Sequence, residues 1–183
     1  MNFGQILGVL AAGAGYTVLV TMACTGTGLL IGLAVALLSR FPWSPLQAAL
    51  TAFTFIFRGI PVLVLLFIVF FGLPGIGVRV SPLLSMVLSL GLISGAYLAE
   101  IFRGAMNAVN AEEILAAEAM GMTRVQSFCY VVLPQMFRFS VPGMINEFTS
   151  ILKYSPFAYT VGIPEIMKQA MSLTPVILRG VEV

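Results

Sequence analysis

Nine basic and seven acidic residues are all the formal charge in this chain of 183. Arg58, Tyr97, Asn146 and Glu147 lie in or at the edges of long apolar runs. An ionisable group deep in a bilayer costs on the order of 2.5–3.5 kcal/mol, so each one there needs a reason. Glu147 can meet an ammonium or basic group on a solute; its structural alternatives are a pair with Lys153, six residues on, or with an arginine of another span. Arg58 can draw a carboxylate, line a seam between subunits, or cap backbone broken at Pro61. Tyr97 and Asn146 suit either a gate lining or plain core packing, and with Arg58, Glu147 and Lys153 they are the candidates for lining a path. The chain has no histidine, hence neither the commonest metal ligand nor the commonest general base. It also has no Gly-Lys dipeptide, so no nucleotide-binding phosphate loop. No catalytic residue, metal or cofactor is expected. These groups point to a path for a solute.

The elements that must hold such a path are apolar helices. Hydrophobic residues make up 60% of the chain, charged residues 9%, and the mean hydropathy is +1.06. No charge interrupts Met1 to Ser39, Phe41 to Phe57, Gly59 to Val78, or Val80 to Ala99. A bilayer core about 30 Å thick needs about 20 apolar residues in a helix. The chain therefore reads as an all-α, polytopic membrane protein with a single transmembrane domain over 1–183. Its surroundings are lipid, and without a basic stripe it has no nucleic-acid partner.

Four spans are expected. The first covers about Tyr16 to Ser39, with Met1–Gly15 as an interfacial lead-in. The second covers about Leu46 to Gly72 and kinks at Arg58-Gly59-Ile60-Pro61, with Leu46–Phe57 either part of it or lying along the surface. The third runs from about Pro82 to Phe102 and closes on Glu100 and Arg103, three apart and placed to pair. The fourth runs from about Ser127 to Leu152. Tyr154–Pro164 is too short to cross and suits a re-entrant or bent segment. Met167–Val183 is too short and too polar for a further full span. Cys24 and Cys129 fall in apolar spans and suit packing. With the amino terminus outside, Arg40, Arg103 and Arg124 lie in cytoplasmic loops and only Arg79 outside, which is the orientation the positive-inside rule favours.

That orientation places Ala111–Gln126, the one sizeable polar interlude, in the cytoplasm. Glu112 and Glu113 complement a helix start, and Ile114–Met120 are good helix formers. Gly121 suits a sharp exit, and Met122-Thr123-Arg124 can begin a second short helix. Ala116, Ala117, Ala119 and Gly121 would leave a nearly bare crest able to enter another protein's groove; otherwise the loop is an ordinary connector.

This loop, followed by Val131-Val132-Leu133-Pro134-Gln135, resembles the EAA loop of bacterial ABC-importer permeases. Four further blocks resemble the polar-amino-acid branch of that family: Phe57-Arg58-Gly59-Ile60-Pro61, the run Ala96-Tyr97-Leu98-Ala99-Glu100-Ile101-Phe102-Arg103-Gly104, then Pro142-Gly143-Met144-Ile145-Asn146-Glu147-Phe148, and Val161-Gly162-Ile163-Pro164-Glu165-Ile166. The resemblance implies a type I permease-like bundle in the bacterial inner membrane that translocates amino acids. It implies partners as well: a second permease subunit, cytoplasmic ABC ATPases, and a periplasmic or tethered amino-acid-binding protein. ATP hydrolysis would then belong to the ATPase, docked on Glu113, Leu115, Ala116, Ala117, Glu118 and Gly121.

Three departures stand out. Leu115 occupies the place of the family's EAA glutamate, with Glu112 and Glu118 three residues to either side. Lys153-Tyr154-Ser155-Pro156-Phe157 replaces Lys-Asp-Thr-Ser-Leu, and the family's last span is not recognisable. A secondary carrier or channel, and a remnant that binds an ATPase without transporting, are the competing readings. The first expects inverted repeats and coupling acids within spans; no repeat is visible and Glu147 is the one candidate acid.

Overall fold

The structure, a computed structural model, describes residues 2–181, with side chains up to residue 175. Its first helix, α1, runs unbroken from Phe3 to Leu38, opened by the Asn2 N–H donating to Gln5 Oε1 at 3.0 Å. The stretch expected as a lead-in is helical from Phe3 and continuous with the first span, because nothing between Phe3 and Tyr16 stops a helix. Among the described residues three helices are long and apolar enough to cross a membrane: α1, α4 (Pro82–Asn107) and the stretch Arg124–Val161. A fourth crossing is added if α2 (Ser44–Gly59) and the segment Val62–Ile76 count as one span.

That second span differs from a kinked helix. Its two halves meet at 103°. Ile60 is extended, as a residue before proline tends to be, and Pro61 is extended too, so α2 stops at Gly59. The chain restarts as α3 (Val62–Phe67), loosens into a π turn over Ile68–Gly72, and ends in a tight turn over Leu73–Ile76. Proline fixes where the helix breaks; packing of α2 and α3 on different parts of α4 sets how far it turns.

The centre of the bundle is the α1–α4 seam. A methyl added to Gly32 would lie 2.6 Å from Leu98 Cβ and 3.0 Å from the Gly95 carbonyl oxygen; one on Gly95 would lie 2.6 Å from Ile31 Cγ2. Small residues thus let the backbones approach closely, the usual basis of helix association in lipid. One apolar cluster gathers Val20, Cys24, Leu66, Met86, Leu90 and Ile151 at one end; another gathers Ala36, Leu98, Phe102, Met106, Val132 and Met136 at the other. Cys24 is buried in the first, whereas Cys129 is exposed and does not pack as expected.

After α4 come α5 (Ala111–Ala119) and α6 (Arg124–Ser127), then a π turn over Phe128–Val132 leading into α7 (Leu133–Tyr154). The segment expected to be re-entrant or bent is a 3-10 continuation of α7 over Ser155–Val161, closed by Gly162 at φ 98°. The chain then turns into α8 (Ile166–Val181), which lies against α1. Glu165 starts that helix: its wholly buried carboxylate accepts the N–H groups of Met167 at 2.8 Å and Lys168 at 2.7 Å. Ile166 N–H donates to Thr17 Oγ1 at 3.3 Å, tying α8 to α1. Removing this cap by Glu165→Ala should cost about 1–2 kcal/mol, seen as faster tryptic cleavage after Lys168 in detergent. Unchanged cleavage would mean that apolar packing alone holds α8.

Candidate functional site: a polar cavity and an exposed helical loop

Two places gather the polar residues. The first is a cavity of about 410 Å³ at the α2–α3 break, walled also by α4 and α7. Gly59, Ile60 and Pro61 give it non-helical backbone, which at membrane depth is tolerated where it lines a cavity. Arg58, in the last turn of α2, holds its guanidinium 5.2 Å from the Tyr97 ring centroid, and Tyr97 Oη donates to the Arg58 carbonyl at 3.3 Å. From α7 come Asn146, Glu147, Ser150 and Tyr154, since residues three and four apart share a helix face. Glu147 is 9% exposed.

Neither charge is neutralised by an ion pair. Among the described residues the structure holds one, between Arg103 and Glu100 on successive turns of α4. A pair between Glu147 and Lys153 is absent, and Lys153 is not part of the cavity wall. Six residues along a helix amount to about 240° of rotation, so the two side chains diverge. The cavity thus offers a guanidinium on α2 and a carboxyl group on α7, with hydroxyl and amide groups between. Ser150 and Tyr154 were not evident from sequence; their i+4 and i+8 spacing from Asn146 was the available signal.

The second place is the loop between α4 and α7. Asn110 caps α5 by accepting the Glu112 N–H at 3.0 Å, and Glu112 and Glu113 occupy its first turn. The helix ends with the Gly121 N–H donating to the Glu118 carbonyl at 3.0 Å and the Met122 N–H to the Ala117 carbonyl at 3.1 Å. Gly121 has φ 86°, a left-handed conformation that glycine adopts freely. Thr123 Oγ1 then accepts the Gln126 N–H, and Gln126 Oε1 accepts the Thr123 N–H, a reciprocal cap that opens α6.

Leu115, Ala116, Glu118 and Gly121 are exposed, but Ala117 is 2% exposed. Its expected place on the crest is corrected: the methyl faces the bundle. Glu113 is exposed yet engaged, accepting a hydrogen bond from Gln135 of α7. Leu115, Met120 and Val125 stand 64%, 76% and 71% exposed. The outer surface of this loop therefore mixes the apolar side chains of Leu115, Met120 and Val125 with bare positions at Ala116 and Gly121, with carboxylates beside it.

Residues 28–174 match the family described as "Binding-protein-dependent transport system inner membrane component". The chain is 32% identical to the probable amino-acid ABC transporter permease protein YckA of Bacillus subtilis, over 86% of this chain and 70% of that protein. It is 34% identical to the octopine transport system permease protein OccQ of Rhizobium radiobacter, over 93% and 80%. It superposes on the crystal structure of an amino acid ABC transporter with histidines at a TM-score of 0.87, with 28% identity over 97% of this chain and 85% of that one. The bundle, the broken second span and the capped loop are the elements that the match to this family spans, and the chain belongs to it: it is an inner membrane component of a binding-protein-dependent transport system.

Proposed function

We propose that the cavity between Arg58 and Glu147 is where this permease holds its cargo in transit. The chain is the membrane permease of an ABC importer for amino acids. The observation that carries the cavity's role is that Arg58 and Glu147 both line it and form no ion pair with each other. A free amino acid presents an α-carboxylate and an α-ammonium, which suit those two groups. Tyr97, Asn146, Ser150 and Tyr154 can satisfy the remaining donors and acceptors.

The loop over 111–126 is proposed as the docking element for an ABC ATPase on the cytoplasmic side, with the amino terminus outside. Leu115, Ala116, Glu118 and Gly121 form the contact surface, and Glu113 with Gln135 fixes α5 to α7. The membrane pair is completed by a second permease subunit, and a periplasmic or tethered binding protein delivers the amino acid. Closure of the ATPases rocks the spans through α5, and hydrolysis, on the ATPase, resets them.

The test is ATP-dependent uptake in vesicles containing the permease with an ABC ATPase and a binding protein that co-purify with it. Glu147→Gln should lower uptake of the preferred amino acid about tenfold or more, as loss of a charged hydrogen bond worth about 1.5–3 kcal/mol implies, with assembly unchanged. An unaltered uptake profile would remove Glu147 from the path.

A further inference from the structure

We propose that a second cavity, at the end of the bundle that carries the α5–α6 loop, binds the phosphate headgroup of an anionic phospholipid. It has a volume of about 360 Å³ and is lined by Ser39, Arg40, Gln47, Thr51, Arg103 and Asn107. These residues come from the α1–α2 turn, the first turns of α2 and the end of α4. The cargo cavity shares none of them.

The lining is built for an anion. Glu100, bound to Arg103, is the one acid paired near it, and no acidic residue lines the cavity. Arg40 has no ion-pair partner among the described residues and is held in place by the Phe128 ring, 5.5 Å from its guanidinium carbon. Arg103 gives one Nη to Glu100 and Thr54, while its buried Nε–H has no acceptor. Hydroxyl and amide donors complete the wall.

The location selects a lipid over a dissolved anion. Phe41 and Trp43, 60% and 63% exposed, follow Arg40 in the α1–α2 turn. Exposed aromatics next to the end of a span sit at headgroup level. Basic pockets between spans on the cytoplasmic side are suited to anionic headgroups. Leu38 at the end of α1 and Phe55 on α2 are exposed, an apolar surface for acyl chains that free phosphate does not need.

The test is native mass spectrometry of the intact protein in neutral detergent, titrated with phosphatidylglycerol, phosphatidylcholine or inorganic phosphate. Phosphatidylglycerol should be retained about fivefold or more over phosphatidylcholine, the preference expected per arginine at an anionic surface. Arg40→Gln should abolish that preference, and Arg138→Gln, on α7 away from the cavity, should keep it. Thr51→Glu gives an independent check, since it puts a carboxylate into the wall and leaves Arg40 on Phe128. Preference surviving both Arg40→Gln and Thr51→Glu would overturn the site. Equal retention of the two lipids would overturn headgroup recognition, and displacement of phosphatidylglycerol by millimolar inorganic phosphate would replace the lipid with a free anion.

Discussion

Gly121→Val should leave the permease folded in the membrane and nearly inactive. Gly121 has φ 86°, and a left-handed residue with a Cβ costs roughly 1–2 kcal/mol, more when it is β-branched. No atom lies within 4 Å of where a Cβ would sit, so the bundle is undisturbed and the strain stays local. Relief requires the α5 exit to unwind, breaking the hydrogen bonds to the Glu118 and Ala117 carbonyls. The added branch would also project into whatever the crest enters. A loss of 1–2 kcal/mol weakens association about 5- to 30-fold, so uptake and co-purification with the ATPase should fall together. Gly121→Ala should do less. Normal uptake by Gly121→Val would show that this turn takes no part in docking.

Gly32→Val should fail at an earlier stage, with folded protein lost from the membrane. A Cβ at this position meets Leu98 Cβ at 2.6 Å, the Gly95 carbonyl oxygen at 3.0 Å and the Ala99 nitrogen at 3.1 Å. Two of these three are backbone atoms, so no rotamer change makes room. Overpacking typically costs 1–3 kcal/mol, and separating the central seam exceeds that range's lower end because α2, α3, α7 and α8 all pack on α1 or α4. Gly8→Val, on the same helix with nothing within 4 Å of the new Cβ, is the control and should accumulate normally. Equal recovery of the two variants by size-exclusion chromatography would show that the seam tolerates a branch.

Much of this was readable from residue patterns. Gaps between charges located the spans, since a buried charge is expensive and its absence over 20 residues is meaningful. Gly121 and Thr123 marked the end of α5 and the start of α6 because their caps are local chemistry. Other features depend on distant parts of the chain. Arg58-Gly59-Ile60-Pro61 marked a break, but a 103° turn follows from where α2 and α3 pack on α4. Apolarity is uniform across Gly15 and does not mark where α1 begins, although Asn2 and Gln5 have capping spacing. Ala117 could not be told from Ala116 and Ala119, as alanines carry no periodic signal. Glu165 reads in sequence as one more member of the Val161–Ile166 block, although an acid after Pro164 and before a helical run is a readable cap.

If the loop over 111–126 meets a motor on the cytoplasmic side, position 115 must be reachable from that side alone. The most direct test is the accessibility of a cysteine at position 115 in a Cys129→Ser background, with buried Cys24 left in place. In Leu115→Cys, a membrane-impermeant maleimide should label inverted inner-membrane vesicles and not intact spheroplasts, and added ATPase should protect the site. Labelling of intact spheroplasts would place the loop outside, where no ATP-driven partner can reach it.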